Sequence, residues 1–230
     1  MKNVLLVFGA YGALGAGVTK VLIEKGYDDI YLFGTRINEK NMIIKPNVHN
    51  IIVSDLSLEI NAEEALNNII PDKDTAMFLF STIGGYSGGK TIMETDVNDL
   101  DKMLSMNLKT NFFLAKYFSR LVKQSAGGSI CFTSAYTGLH AETKKSVYGI
   151  SKSALNHLVQ TLALEGKEIN LSANAVAPYI IDTPDNRQWM KKADYSSWIK
   201  PEEIGEFVYS LFNNYNLISG NIFEMKERQD

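Results

Sequence analysis

The 230-residue chain has a single cysteine, Cys131, so no disulfide can close within it. That usage suits a reducing compartment. Its three histidines, His49, His140 and His157, show no metal-ligand spacing. There is no basic excess to attract nucleic acid: 23 lysines and arginines stand against 26 acids, for a net charge of −3. No segment approaches the roughly 18 apolar residues of a membrane span. Met1-Lys2-Asn3 and the apolar residues after it resemble a secretory leader, but VLLVF is short and glycines interrupt it at once. The expectation is a soluble cytoplasmic protein without metal, nucleic-acid or membrane partners.

What is present is 45% hydrophobic residue content, enough for one substantial core. A single domain over residues 1–230 is expected. Short apolar runs predict strands at Val4–Phe8, Ile30–Phe33, Ile51–Val53, Thr75–Phe80, Ser129–Thr133, Ser172–Val176 and Gly220–Met225. Amphipathic stretches predict helices at Ala13–Lys25, Asn61–Ile70, Val97–Gln124, Val147–Glu165 and Pro201–Phe212. Gly26 is placed to close the first helix. Strands alternating with helices predict an α/β fold, a doubly wound parallel sheet of about seven strands covered on both faces. Pro184–Lys200 breaks the rhythm and reads as a long loop with helical turns.

The stretch VFGAYGALGAG joins the first strand to the first helix. Glycine there lets backbone approach a phosphate, and the helix N-terminus offers free N–H groups and partial positive charge. Gly9 and Gly12 shape the turn; Gly15 allows close approach or tight packing, and helix-packing glycines give the same string. Asp55 follows the third strand, and Ser81-Thr82-Ile83-Gly84-Gly85 the fourth, at the sheet edge where open α/β folds bind ligands. Plain turns account equally for each loop alone; three so placed point to a dinucleotide.

Tyr148 and Lys152 stand at i and i+4 on a predicted helix, hence on one face. An ammonium near a phenol favours the phenolate and makes a general acid/base suited to neutral pH. An ordinary surface pair has the same spacing. Ser134 follows the fifth strand, where its hydroxyl could meet a substrate oxygen or serve a turn. Asn107 falls on the apolar stripe of its helix, where a buried amide needs partners.

Together these residues resemble the short-chain dehydrogenases/reductases over nearly the whole chain. The resemblance rests on the glycine turn, Asp55, STIGG in place of the family's Asn-Asn-Ala-Gly, Met-Asn-Leu at 106–108, Thr-Ser at 133–134, the Tyr148/Lys152 pair and Pro178. It implies a Rossmann-type fold and NAD(P)-dependent reduction. Tyr148 would donate or accept the proton, and Lys152 would lower its pKa and bind the nicotinamide ribose. Ser134 would orient substrate, and Asn107 would support a water-linked relay. The implied cofactor contacts are Gly9, Tyr11, Gly12, Ala13, Leu14 and Gly15 at the first turn, Arg36, Asp55 and Leu56, then Thr82, Ile83, Gly84 and Gly85, and finally Tyr148, Lys152, Pro178, Ile181 and Thr183. The resemblance also implies a homodimer or homotetramer formed through helices 97–124 and 147–165.

Within that family, GAYGALG, IGGYSGG and the segment 182–203 are similar to the dihydropteridine reductases. This implies a quinonoid dihydropterin-type substrate, with an unrelated carbonyl compound as the other reading. Trp189, Met190, Tyr195 and Trp198 would close over a flat substrate. Asn107 and Ser134 follow the general family instead, and Ala135 competes with Ser134 for the serine position. No carboxylate follows the second strand in Phe33-Gly34-Thr35-Arg36, and Arg36 could pair with a 2′-phosphate. NADP(H) is therefore preferred, with NAD(H) possible. The competing class is a nucleotide sensor that keeps the fold without turnover.

Overall fold

A computed structural model describes residues 1–227. The strands are β1 (Lys2–Phe8), β2 (Asp29–Gly34), β3 (Val48–Ile52), β4 (Thr75–Ser81), β5 (Gly127–Thr133), β6 (Leu171–Pro178) and β7 (Ile222–Met225). The helices are α1 (Ala13–Leu22), α2 (Glu59–Asn67), α3 (Val97–Leu104), α4 (Thr110–Lys123), α5 (Ser146–Glu165), α6 (Pro184–Trp189) and α7 (Pro201–Asn213). All seven strands pair in parallel, in the order β3-β2-β1-β4-β5-β6-β7. The expected doubly wound sheet is thus observed.

Side-chain alternation along β1 explains the layers. Leu5 and Val7 face α1 and α7, joining Val18, Leu22, Ile204, Val208 and Phe212 in one core. Leu6 and Phe8 face the other way, into a core with Leu114 and Phe118 of α4 and Leu155 and Val159 of α5. Each such buried side chain contributes about 1.5–3 kcal/mol. Because β1 pairs with both β2 and β4, the connections leave it in opposite directions. The crevice at that switch point lies beside the glycine turn.

Element ends differ from expectation for local reasons. Helix α1 stops at Leu22 because Glu24 and Lys25 donate three residues back, tightening the turn, and Gly26 then takes φ +73°. Strand β3 begins three residues earlier than expected; His49 and Asn50 hid it, being polar on a sheet edge. The 97–124 helix is interrupted by one wide turn, Ser105–Lys109, which carries Asn107. In the 184–200 segment α6 forms because Pro184 starts it and the Thr183 hydroxyl accepts the Asn186 N–H. No helix of the described residues is long and apolar enough to cross a membrane.

Gly128 sits against β4, where an added Cβ would collide with the Met77 carbonyl, backbone that cannot swing aside. Gly128→Ala should destabilise the protein by about 2 kcal/mol in urea denaturation; an unchanged midpoint would contradict this close packing.

Candidate active site

The turn after β1 is closed by backbone. Gly9 adopts φ +77°, and a Cβ there would collide with the Thr82 hydroxyl. A Cβ on Gly15 would collide with the Gly9 carbonyl. The Gly12 N–H donates to the Gly9 carbonyl at 3.0 Å, and no side chain caps α1. Among the described residues no backbone carbonyl accepts from the N–H groups of Ala13, Leu14 or Gly15. Unsatisfied donors at an uncapped helix start fit an anionic phosphate, and the cradle has no room for side chains.

The β4 loop joins this turn. Thr82 donates its hydroxyl to the carbonyls of Phe8 and Gly9 at 3.0 and 3.1 Å. Ile83 packs on the core behind it. Gly84 lies over two polar groups: its added Cβ would stand 2.7 Å from Asn107 Oδ1 and 2.9 Å from Lys152 Nζ. Asn107, buried in the wide turn, accepts the Gly85 N–H at 2.8 Å and donates to the Gly85 carbonyl at 3.0 Å. It also donates to the Ser151 hydroxyl at 2.9 Å. Its side chain is therefore a satisfied core amide that shapes the loop. Its own carbonyl accepts from Asn111, one turn on.

Asp55 and Arg36 are both exposed. Asp55 Oδ1 accepts the Ser57 N–H at 2.9 Å, and hydrogen bonding by Ser57 holds its carboxyl below the usual range. It caps a turn beside buried Leu56. Arg36 extends into solvent from the loop after β2. Tyr11 packs its ring on Gly34 and donates its hydroxyl to Asn50 Oδ1. Pro178 ends β6, Ile181 bridges to Ile199, and Thr183 is engaged in capping α6.

Tyr148 and Lys152 occupy successive turns of α5, with Nζ 5.9 Å from the phenol ring centroid. The lysine is fully enclosed and donates to the Thr133 carbonyl at 2.7 Å. Burial pushes its pKa down to about 7. The same enclosure pushes the Tyr148 phenol above its ordinary value, with Tyr86 and Glu142 adding to the rise. In the protein alone the Tyr148 shift therefore runs upward, caused by burial and by the neighbouring Tyr86 and Glu142.

Ser134 is buried and donates to Asn156 Oδ1 of α5 at 2.5 Å, so its hydroxyl proton is directed into the fold. Trp198 is also buried, as the tip of an anchor rather than a cover: its ring meets Tyr195 edge-on at 4.8 Å. Tyr195 in turn donates to the carbonyls of Arg187 and Met190 and lies under the Arg187 guanidinium. Both aromatics hold the segment in shape. Met190 and Trp189 are exposed at the end of α6.

A residue missed at the sequence level, Tyr86, completes the site. Its ring meets Tyr148 edge-on at 5.0 Å and approaches Trp189 at 6.2 Å. The signal is an aromatic among the glycines of IGGYSGG, a run that carries the family resemblance without assigning Tyr86 a role. Glu142, also unforeseen, is held near Tyr148 by the Thr137 hydroxyl and by Lys145 at 2.7 Å.

A switch-point glycine cradle beside a half-buried tyrosine and its buried lysine defines a dinucleotide-dependent oxidoreductase of Rossmann type. The chain belongs to the short chain dehydrogenase family, which it matches over residues 3–194, and it is an NAD(P)-dependent oxidoreductase. It is 27% identical to a dihydropteridine reductase of Dictyostelium discoideum over 93% of this chain and 89% of that one. A tropinone reductase homolog of Arabidopsis thaliana is 26% identical over 90% and 83% of the two chains. In fold it is similar to ElxO with NADP bound, at TM-score 0.85, 22% identity and 97% of each chain. A tyrosine-to-phenylalanine variant of ElxO with NADPH bound matches equally, at TM-score 0.85 and 21% identity over 97% of each chain.

The buried lysine has a signature in stability. Unfolded, Lys152 keeps its proton to its ordinary 10.5; folded, only to about 7. Below pH 7 both states are charged and the cost of burial is fully felt. Between pH 7 and 10.5 only the unfolded chain retains the proton, so stability rises with pH. Relative to Lys152→Met, the cofactor-free protein should gain about 1.4 kcal/mol per pH unit across that window. Parallel pH profiles for the two proteins in denaturant titrations would refute a buried, depressed lysine.

Proposed function

We propose that the protein is an NADPH-dependent reductase of a flat, conjugated substrate of the quinonoid dihydropterin type. The observation that carries this reading is the aromatic line Tyr148–Tyr86–Trp189. Its exposed end, Trp189, offers a ring face to a planar molecule. Ala135, with no hydroxyl to orient a simple carbonyl, stands beside an inward-turned Ser134. Similarity to a dihydropteridine reductase over most of both chains supports the same substrate class. Reduction of an unrelated ketone is the second reading, favoured by similarity to the tropinone reductase homolog.

The cradle of Gly9, Gly12 and Gly15 and the free N–H groups of α1 would hold the cofactor's pyrophosphate. Asp55 and Leu56 would border the adenine, and Arg36 a 2′-phosphate. Gly84, Gly85, Lys152, Pro178, Ile181 and Thr183 would border the nicotinamide half. Bound NAD(P)H supplies the hydride. Tyr148 donates the proton: its raised pKa keeps the phenol protonated at neutral pH, ready to give the proton to a developing anion. The Lys152 ammonium then offsets the charge left on the phenolate. Asn107 positions Gly84 and Gly85, keeping that loop low enough for ligand to approach Lys152. Glu142 and Lys145 set the polarity of the rim.

One domain carries all of these groups. Phe112 of α4, with Ile150 and Leu164 of α5, leaves large apolar surface exposed, which supports pairing of copies across these helices.

NADPH absorbance, followed with quinonoid dihydropterin and then with a carbonyl panel, tests the substrate. Turnover only on carbonyls would select the second reading; tight cofactor binding with no turnover on either would favour a sensor. Tyr148→Phe should lower kcat at least about a thousandfold while preserving cofactor affinity. An active Tyr148→Phe enzyme would place the proton donor elsewhere. Arg36→Ala should raise the Kd for NADPH roughly tenfold and leave NADH nearly unchanged. Equal losses would remove Arg36 from cofactor selection.

A further inference from the structure

The 13-residue connection between β2 and β3, residues 35–47, carries Arg36 yet has no regular element of its own. Three asparagines order it. Asn41 Nδ2 donates to the Arg36 carbonyl at 3.0 Å, fixing the backbone from which the guanidinium extends. Asn38 and Asn41 close the intervening turn: Asn41 Oδ1 accepts the Asn38 N–H at 2.8 Å, and the Asn41 N–H returns to the Asn38 carbonyl. Asn50, on β3, then grips the far side of the loop with both ends of its amide. Its Oδ1 accepts the Ile43 N–H at 3.1 Å, and its Nδ2 donates to the Ile43 carbonyl at 2.8 Å.

The same Asn50 Oδ1 accepts the Tyr11 hydroxyl. Tyr11 belongs to the glycine turn, and its ring rests on Gly34, where any Cβ would stand 2.6 Å from it. Burial pushes the Tyr11 pKa up to about 12, so the phenol remains a donor through the whole working range. One amide therefore ties the glycine turn to the loop that presents Arg36. A single flexible arginine on an untethered loop would lose much of its interaction with an anion to ordering entropy. The clamp removes that loss beforehand.

We propose that Asn50, acting with Tyr11, is a positioning residue for nucleotide selection: it fixes the 35–47 loop so that Arg36 meets the 2′-phosphate of the cofactor. This rests on the reading of Arg36 given above. Asn50 touches no reacting atom, so its loss falls on recognition of one cofactor and not on the chemical step.

The test uses Asn50→Leu, which preserves volume and removes all three bonds, and Tyr11→Phe, which keeps the ring on Gly34 and removes only the hydroxyl. Calorimetric Kd values for NADP+ and NAD+ are measured with each, beside kcat and KM. Asn50→Leu should weaken NADP+ about tenfold and NAD+ less than about twofold, the kinetic loss appearing in KM for NADPH. Tyr11→Phe should weaken NADP+ about threefold. In the cofactor-free protein, hydrogen exchange at the Ile43 amide should quicken in Asn50→Leu. Added to Arg36→Ala, Asn50→Leu should cause no further loss of selectivity, since both act through one contact. If Arg36→Ala removes the NADP+ preference while Asn50→Leu and Tyr11→Phe leave it intact, the clamp is overturned and the Arg36 reading stands. If Arg36→Ala weakens both cofactors alike, the Arg36 reading fails and the clamp falls with it. Should Asn50→Leu fail to fold, Tyr11→Phe with the unchanged Ile43 bonds decides the outcome alone.

Discussion

A lysine ammonium sealed inside the protein governs the architecture around it. Lys152 has one hydrogen-bond acceptor, the Thr133 carbonyl at the end of β5. No carboxylate among the described residues contributes to its titration; burial alone drives its pKa down. Enclosing a charge with so little compensation is costly, which is why burial lowers the pKa, and two glycines leave room for the side chain. Gly84 must lack a side chain for the ammonium to fit beneath it, and so must Gly138, whose Cβ would stand 2.8 Å from Lys152 Cβ. Asn107, carried by the wide turn Ser105–Lys109, lies at the same spot against Gly84 and Gly85. The reactive end of the site is thus held by three elements leaning on one charged side chain.

The aromatic side of the cleft follows a different logic. An apolar wall of rings runs from Tyr148 through Tyr86 to Trp189, and the last is anchored from behind. Asp182 grips Arg187 with two hydrogen bonds, Arg187 lies over Tyr195, and Tyr195 leans on the buried Trp198. Short α6 is thereby tied to the residues that flank it on both sides. The wall has a defined shape before any ligand arrives, which lowers the ordering cost of binding.

Much of this was legible in the chain itself. Strands and layers followed from short apolar runs alternating with amphipathic stretches, and the glycine turn from its place after β1, because those signals are local. The Tyr148/Lys152 pair was legible from its spacing, yet its electrostatics were not. Four-residue spacing places the groups on one face, but only the surrounding atoms determine how burial shifts each one. Ser134 and Ala135 are adjacent in sequence, and nothing local says which way a hydroxyl turns; Asn156, 22 residues on, decides it. Trp198 looked like a cover because tryptophan in a polar segment suggests a ligand, whereas here the segment folds back and buries it.

The sequence by itself determined the fold class, the glycine turn after β1 and the tyrosine–lysine pair, since each depends on residue type and short-range spacing. Only the tertiary structure decided the protonation preferences of that pair, the partners of Asn107 and Ser134, the aromatic line through Tyr86, and the Asn50 clamp. Those depend on contacts between segments far apart in the chain, where burial and hydrogen-bond direction are set by the whole packed molecule.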